Sequence, residues 1–463
     1  MVKKFDLSLF VFRRDLRLED NTGLIFALNS SKAVIPAFIF TKEQIDQNPY
    51  RSDHCLQFMI ESLEDLQEQL KKKGGRLYLF KGDPEEVVHQ CISKLGVEAL
   101  IVNRDYTPYS CKRDKKLEKL CKSQEVPFFS FNDALLHSPE ETLKKDGKPY
   151  TIFTPYFRNA SREKVLPPTR NGKANYFHGG IDFAEKNSIL SEISPGNVAY
   201  DRLIGGRTEG LKLLRKISSF SKYKKLRDFP AESYSTHLSP YLKFTVCSPR
   251  EVYSAICSRF SLHHELVRSL YWRDFFTSIA FFFPHVFKGA FHPKWDNLKW
   301  SNNKKAFQRW CEGSTGFPIV DAGMREMNQT GFMHNRVRMI AASFLIKDLG
   351  INWQWGEKYF AQTLIDYDPA VNNGNWQWVA STGCDSQPYF RIFNPWSQQK
   401  KFDSNCLYIK EWVPELSDLD PKMIHSWAKK EIHMKYPAYP APMIDHEKAA
   451  KATLLKYRGI KGR

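Results

Sequence analysis

No tryptophan occurs before Trp272; all 11 lie between Trp272 and Trp427. The chain also lacks a GxGxxG stretch and a GxxxxGK stretch followed by Ser or Thr, which excludes the usual fingerprints of dinucleotide and nucleoside-triphosphate sites. Nine cysteines include no CxxC pair and no Cys/His ligand spacing, so reduced thiols are expected, with neither disulfide nor structural metal. No apolar run is long enough to span a bilayer; the best, residues 278–287, is interrupted by Pro284 and His285. Asp6 and Arg13 break the N-terminal apolar run too early for a signal peptide, and a cytoplasmic protein is expected. Acid is in deficit too. Against 51 Asp and Glu stand 69 Lys and Arg, a net charge of +18, which favours a polyanionic partner over a neutral one. No basic amphipathic helix suited to a membrane surface is legible.

What is present divides in three. Residues 1–132 alternate short β-branched or aromatic runs (7–12, 33–40, 76–80, 99–102, 128–131) with amphipathic helical stretches (53–73, 84–95, 112–123). That alternation predicts an α/β domain on a five-stranded parallel, Rossmann-like sheet. Residues 133–212, richer in Gly, Pro, Ser and Asn, read as a long connection. Residues 213–463 lose the strand signal and read as an all-α domain, with helices expected over 249–260, 266–283, 304–311, 320–328, 334–348 and 355–365. No coiled coil or apolar stripe is evident, so a monomer is expected.

Two segments carry the chemistry. In 365–378, two acids, Asp366 and Asp368, precede an Asn-Asn-Gly-Asn stretch and then Trp376 and Trp378. Pro369 and Gly374 predict a shaped loop here. In 333–339, helical spacing puts Asn335, Arg338 and Met339 on neighbouring positions of one face. An Arg buried there needs an acid, and Asp366 or Asp368 is the candidate. Each segment alone would be read as a structural turn or a helix-packing pair; together they point to a site.

The strings GFMHNRVRMIAASFLIKD, DYDPAVNNGNWQW and ASTGCDSQPYFRIFNPWSQQKKFD resemble the flavin and lesion site of the photolyase/cryptochrome family. RRDLRLEDN at 13–21, RDFP at 227–230, LSPYL at 238–242 and YWRDFF at 271–276 resemble that family as well. The similarity runs nearly end to end. It implies an α/β antenna domain, a connection, and a helical domain that holds FAD in a folded conformation. By position, Tyr223, Ser235, Thr236, Leu238 and Ser239 match contacts to the FAD phosphates, where neutral donors are wanted; helix capping would be their ordinary reading. Arg338 and Asp366 match the ion pair beside the isoalloxazine ring, with Asp368, Arg273 and Asn335 also among cofactor-lining positions. Asn372 matches the residue facing flavin N5, where an amide can either accept or donate. Trp376, Trp353 and Trp300 match a chain that passes electrons to photoexcited flavin; singly, each would be read as core packing. Trp272 and Trp378 match the aromatic wedge for a flipped-out dimer, Asn335 and Met339 match residues touching it, and Arg227 and Arg336 suit phosphates of UV-damaged DNA.

The six-four enzymes of the family are similar to one another in carrying histidines at the two lesion-facing positions. Asn335 and Met339 stand there in this chain, which implies cyclobutane pyrimidine dimers and a light-driven electron transfer from reduced FAD to the dimer. The pattern departs at Ser269, where the resemblance implies a Glu bonded to the thymine carbonyls; Glu265, one turn away, is the acid that could substitute for it. Phe332 replaces a Trp conservatively. A second, antenna chromophore (folate, deazaflavin or another) is implied, yet Tyr109-Ser110 stands where folate-binding relatives have Asn-Glu. The alternatives are a cryptochrome-like blue-light photoreceptor, against which the end of the chain at Arg463 counts, and a DASH-type photolyase preferring single strands.

Overall fold

The computed structural model describes residues 4–196, 203–232, 234–301 and 303–461. Five strands, β1 (Phe5–Phe12), β2 (Ser31–Phe40), β3 (Tyr78–Lys81), β4 (Ala99–Asn103) and β5 (Phe128–Phe131), form one sheet in the order β3-β2-β1-β4-β5. All pairings are parallel, with Leu9 of β1 opposite both Ile35 of β2 and Leu100 of β4. Parallel strands need crossovers, and α1 (Thr22–Ser30), α2 (Asp53–Lys72), α3 (Pro84–Leu95) and α4 (Pro108–Ser123) lie between them in sequence. Caps account for their ends: Asn21, Ser52, Asp83 and Thr107 each accept a main-chain N–H of the first turn, and Gly96 closes α3 in the left-handed region. One face of the sheet buries Leu9, Val11, Ile35, Leu100 and Val102 against Val88, Cys91 and Leu117 of the helices. The sheet-plus-helices fold class expected from the sequence is the one observed.

The remainder is helical. The helices used below are α5 (Glu265–Phe282), α6 (Lys304–Glu312), α7 (Pro318–Thr330), α8 (Asn335–Ser343), α9 (Trp353–Thr363), α10 (Pro369–Ala380) and α11 (His446–Lys461). The described residues within Met1–Val198, Leu203–Ser219 and Thr236–Pro284 form one compact unit; those within Phe220–Ser235 and His285–Arg463 form the other. The first unit thus keeps the sheet, the long segment after it, and α5. Four of its charges form a closed set: Arg17 donates to Asp133 at 2.6 Å, and Arg250 bonds both Asp133 and Asp20 at 2.9 Å. Burial alone would raise Asp133, but the two guanidiniums outweigh it and hold the carboxyl down to about 2.

Two local expectations are corrected. The stretch expected as a loop at 366–378 is mostly α10: Pro369 occupies the first helical turn, where its missing N–H costs nothing, and Asp368 caps the start by accepting from Ala370 and Val371. The helix expected over 334–348 is α8 followed by a π-helical turn, Phe344–Asp348. Among the described residues, no helix is long and apolar enough to cross a membrane, and no cluster of His, Cys, Asp or Glu could hold a metal ion.

Candidate functional site

In the second unit, α8 and the start of α10 bring the two chemical segments together. Arg338 grips Asp366 with both terminal nitrogens, at 3.1 and 3.0 Å, while its Nε donates to the Met333 carbonyl at 2.8 Å. The fork matches the carboxylate, and the third bond stops the guanidinium from turning. Asp366 has a side chain only 5% exposed, Arg338 one 23% exposed, so the acid is buried behind a base that reaches the surface. Asp368 is committed to capping α10, which is why Asp366 rather than Asp368 pairs with Arg338. Asn335 is exposed on the first turn of α8, and its Nδ2 lies 3.9 Å from the Met339 sulfur one turn later.

Asn372 is half-buried on α10 and donates Nδ2 to the Glu357 carbonyl at 3.0 Å. Trp376, one turn on, is buried among Trp310, 6.3 Å away, and Phe360, 4.9 Å away. The edge of its ring also abuts α9 where Gly356 stands; a Cβ there would come within 2.2 Å of Trp376, so only glycine admits it. Trp353 is buried at the start of α9. Trp300 is half-buried and packs in a satellite cluster with Trp295, Tyr389 and Tyr457. Trp378 is half-buried against the helical core. Arg336 is bonded to Asp228 at 2.9 Å and stacked over Phe402, and Arg227 lies over the Tyr223 ring. Ser235 and Tyr223 are half-buried in this unit as well.

The first unit carries the others. Trp272 of α5 stacks on Phe153 with centroids 3.7 Å apart and planes 8° from parallel, and Arg268 lies over the same Phe153. The sequence reading passed over Phe153; an aromatic in a polar connection was its only signal. Ser269 is exposed, with its hydroxyl donating to the Glu265 carbonyl at 3.0 Å, and the Glu265 carboxylate lies 3.9 Å from Arg268. Arg273 directs Nη2 to the Leu242 carbonyl at 3.3 Å and Nη1 to Asp274 at 3.4 Å. Burial pushes the Asp274 carboxyl up to about 7. Thr236 is half-buried, Leu238 buried, and Ser239 exposed at the start of a short helix, Ser239–Lys243.

The donor set in the second unit (a guanidinium, two carboxylates and an oriented amide on half-buried positions) suits a planar ring with both N–H and C=O groups at its edge. These residues fit a flavin.

Comparison with known proteins agrees with that chemistry. Residues 266–459 match the family described as FAD binding domain of DNA photolyase, and residues 8–172 match DNA photolyase. A deoxyribodipyrimidine photo-lyase from Alkalihalophilus pseudofirmus is 36% identical, over 97% of this chain and 97% of its own. An archaeal photolyase from Sulfolobus tokodaii with two FAD molecules superimposes with a TM-score of 0.88 at 43% identity, covering 98% of this chain and 100% of that one. The Synechocystis sp. PCC6803 cryptochrome superimposes with a TM-score of 0.89 at 27% identity, covering 99% and 100%. With near-complete coverage by relatives above 30% identity and both halves matched, the chain belongs to the DNA photolyase family.

Proposed function

We propose that this protein repairs cyclobutane pyrimidine dimers in DNA in a light-driven reaction, as a monomer in the cytoplasm. The observation that carries the reading is the exposed face of α8, where the Asn335 amide and the Met339 thioether lie side by side with Arg338 and Asp366 behind them. Neither Asn335 nor Met339 can hand over a proton at neutral pH, which suits bond splitting without an acid and not a reaction that needs one. FAD, when bound, supplies the light-excited electron. Arg338 and Asp366 hold the ring edge, Asp368 and Arg273 line it, and Asn372 turns its carbonyl oxygen toward the N5 side. Tyr223, Ser235, Thr236 and Ser239, with Leu238, hold the phosphates by neutral contacts.

Trp300, Trp353 and Trp376 carry electrons inward, because indoles oxidise one electron at a time and short steps outrun one long one. Trp272 and Trp378 stack the extruded bases; Phe153 braces the far face of Trp272 so that its position does not drift. Arg227 and Arg336 meet lesion-strand phosphates, Arg336 after giving up Asp228. Residues 1–132 are proposed as the antenna domain, joined by 133–212 to the catalytic region 213–463. A second chromophore belongs to this reading, since the Sulfolobus tokodaii relative has two FAD molecules.

One observation favours a second reading, a cryptochrome-like photoreceptor: Ser269 spends its hydroxyl on its own helix instead of offering a strong donor outward. Flavin-loaded protein, reduced beforehand with dithionite, is incubated in blue light with single- and double-stranded oligonucleotides carrying either a cyclobutane dimer or a six-four photoproduct. Loss of the cyclobutane dimer alone is expected. No light-dependent loss sinks the repair reading, and loss from single strands only moves it to the DASH type. Ser269→Glu is expected to raise repair yield severalfold; an unchanged yield would remove Ser269 from the lesion site.

A further inference from the structure

Behind Asn372 lies a row of buried polar side chains that the proposed reaction leaves unused. Glu357 of α9 is buried, and its Oε1 accepts from Asn373 Nδ2 at 3.0 Å. Asn373 Oδ1 in turn accepts from Gln377 Nε2 at 3.1 Å, and Gln377 Oε1 accepts the Phe291 main-chain N–H at 2.8 Å. Each amide donates toward Glu357, which stands at the accepting end. The main-chain carbonyl of Glu357 also receives the Asn372 amide at 3.0 Å. A carbonyl can only accept, so the Asn372 NH2 faces Glu357 and its oxygen faces away.

Among the described residues, no cation answers the Glu357 carboxylate. Within Pro369–Ala380 the helix α10 has no ionisable side chain. On the π-helical turn, Lys347 Nζ is taken by Ser381 and the Tyr457 ring, and Asp348 by His446. On α6, which packs Trp310 on Phe360, Lys304, Lys305 and Glu312 are exposed and Arg309 bonds the Ser314 carbonyl. In segment 285–291, His285 and Lys288 are exposed, as is Lys358 on α9 itself; Tyr359 donates to Asn328. Burial therefore dominates, opposed only by the Asn373 amide, and pushes the carboxyl up to about 7.

We infer that Glu357 is a positioning residue that fixes the amide of Asn372 through its carbonyl and takes one proton from solvent on its carboxylate when reduction brings negative charge into the flavin pocket. The inference rests on the flavin reading of Asn372. A negative charge nearby raises the proton affinity of a carboxylate, and by reciprocity the proton eases arrival of the charge. Electrons come from an external reductant, the proton binds a carboxylate oxygen, and both leave on reoxidation; no other bond changes.

The test is a reductive titration of the flavin-loaded full chain with dithionite and redox dyes between pH 5.5 and 9, native against Glu357→Gln. The neutral amide keeps the hydrogen bond from Asn373 but cannot titrate. The native reduction equilibrium should fall with pH more steeply than that of the variant, by up to a further tenfold per pH unit across the window where Glu357 titrates. Parallel curves overturn the inference and leave the flavin reading standing; native protein that takes up no flavin overturns both. If Glu357→Gln does not retain flavin, Asn373→Leu decides, since losing the Asn373 bond to the carboxylate should move the window to higher pH, and an unmoved window overturns the inference. The flavin-free proteins supply a second readout: Glu357→Gln should flatten the decline in unfolding stability between pH 4.5 and 7, and an unchanged decline counts against it.

Discussion

Asp274 in the first unit is pushed up by burial much as acids of the second are, yet each unit also has a set of buried ionisable groups handled differently from the other's. In the first, Arg17, Asp133, Arg250 and Asp20 form a closed set in which each charge faces its opposite. In the second, Glu326, Lys347 and Glu357 face amides, hydroxyls, a phenol and an aromatic ring. Burial pushes the two glutamic acids up to about 7 and Lys347 down to about 7, so these groups approach neutrality where the first set stays charged. A closed set of opposite charges holds a scaffold in one arrangement. Groups poised near neutral pH respond when a charge appears nearby, which suits the unit that holds most of the residues proposed to face flavin.

The comparison can be broken most severely at Arg17. Arg17→Met leaves Asp133 buried with one of its two guanidinium partners gone, and a loss of about 3–5 kcal/mol is expected in urea unfolding of the first unit. A loss below about 1 kcal/mol would mean that water or Arg250 already compensates Asp133. Lys347 should give the next largest effect. Its folded proton affinity lies below the unfolded one, so native stability rises as pH climbs from about 7 toward the ordinary lysine range of 10.5. Lys347→Met should abolish that rise, on the order of 3 kcal/mol, and stabilise the unit at neutral pH.

Glu326 runs the other way. Its folded affinity is raised, so the stability it contributes is full below 4.5 and is lost as pH climbs through about 7. Glu326→Gln should flatten this decline, by about 2–3 kcal/mol, in denaturant midpoints taken across that window. Identical profiles for variant and native protein would mean that Glu326 binds its proton equally well in the folded and unfolded chain. The smallest effect belongs to the surface pair Lys116–Glu85, 2.6 Å apart and solvated: Lys116→Ala should leave the unfolding midpoint within error. Were it to equal Arg17→Met, burial would not be what separates the regions.

Much of the fold was legible. Strand–helix alternation announced the parallel sheet because parallel strands must be joined by crossovers, and each of the five strands falls where a β-branched or aromatic run stands. The misread stretch, 366–378, shows what pattern alone misses. Pro369 and Gly374 look like breakers, yet proline in a first turn starts a helix, and Asp368 is a cap that is recognised only once the start is known. Glu357 left no signal, because an acid at helical spacing normally faces water. Phe153 gave only the weak signal of an aromatic in a polar connection, because its partner, Trp272, is far away in sequence.

The 333–339 and 365–378 segments show the same division of labour. Sequence by itself determined that an arginine, two acids, an amide and two indoles occur at spacings that bring them to one region, and it determined the resemblance that names a family. Tertiary structure decided which acid pairs with Arg338, which way the Asn372 amide points, and which buried groups stay charged. Those outcomes depend on distances between residues remote in the chain and on how much water remains around them, and neither is a property of local pattern.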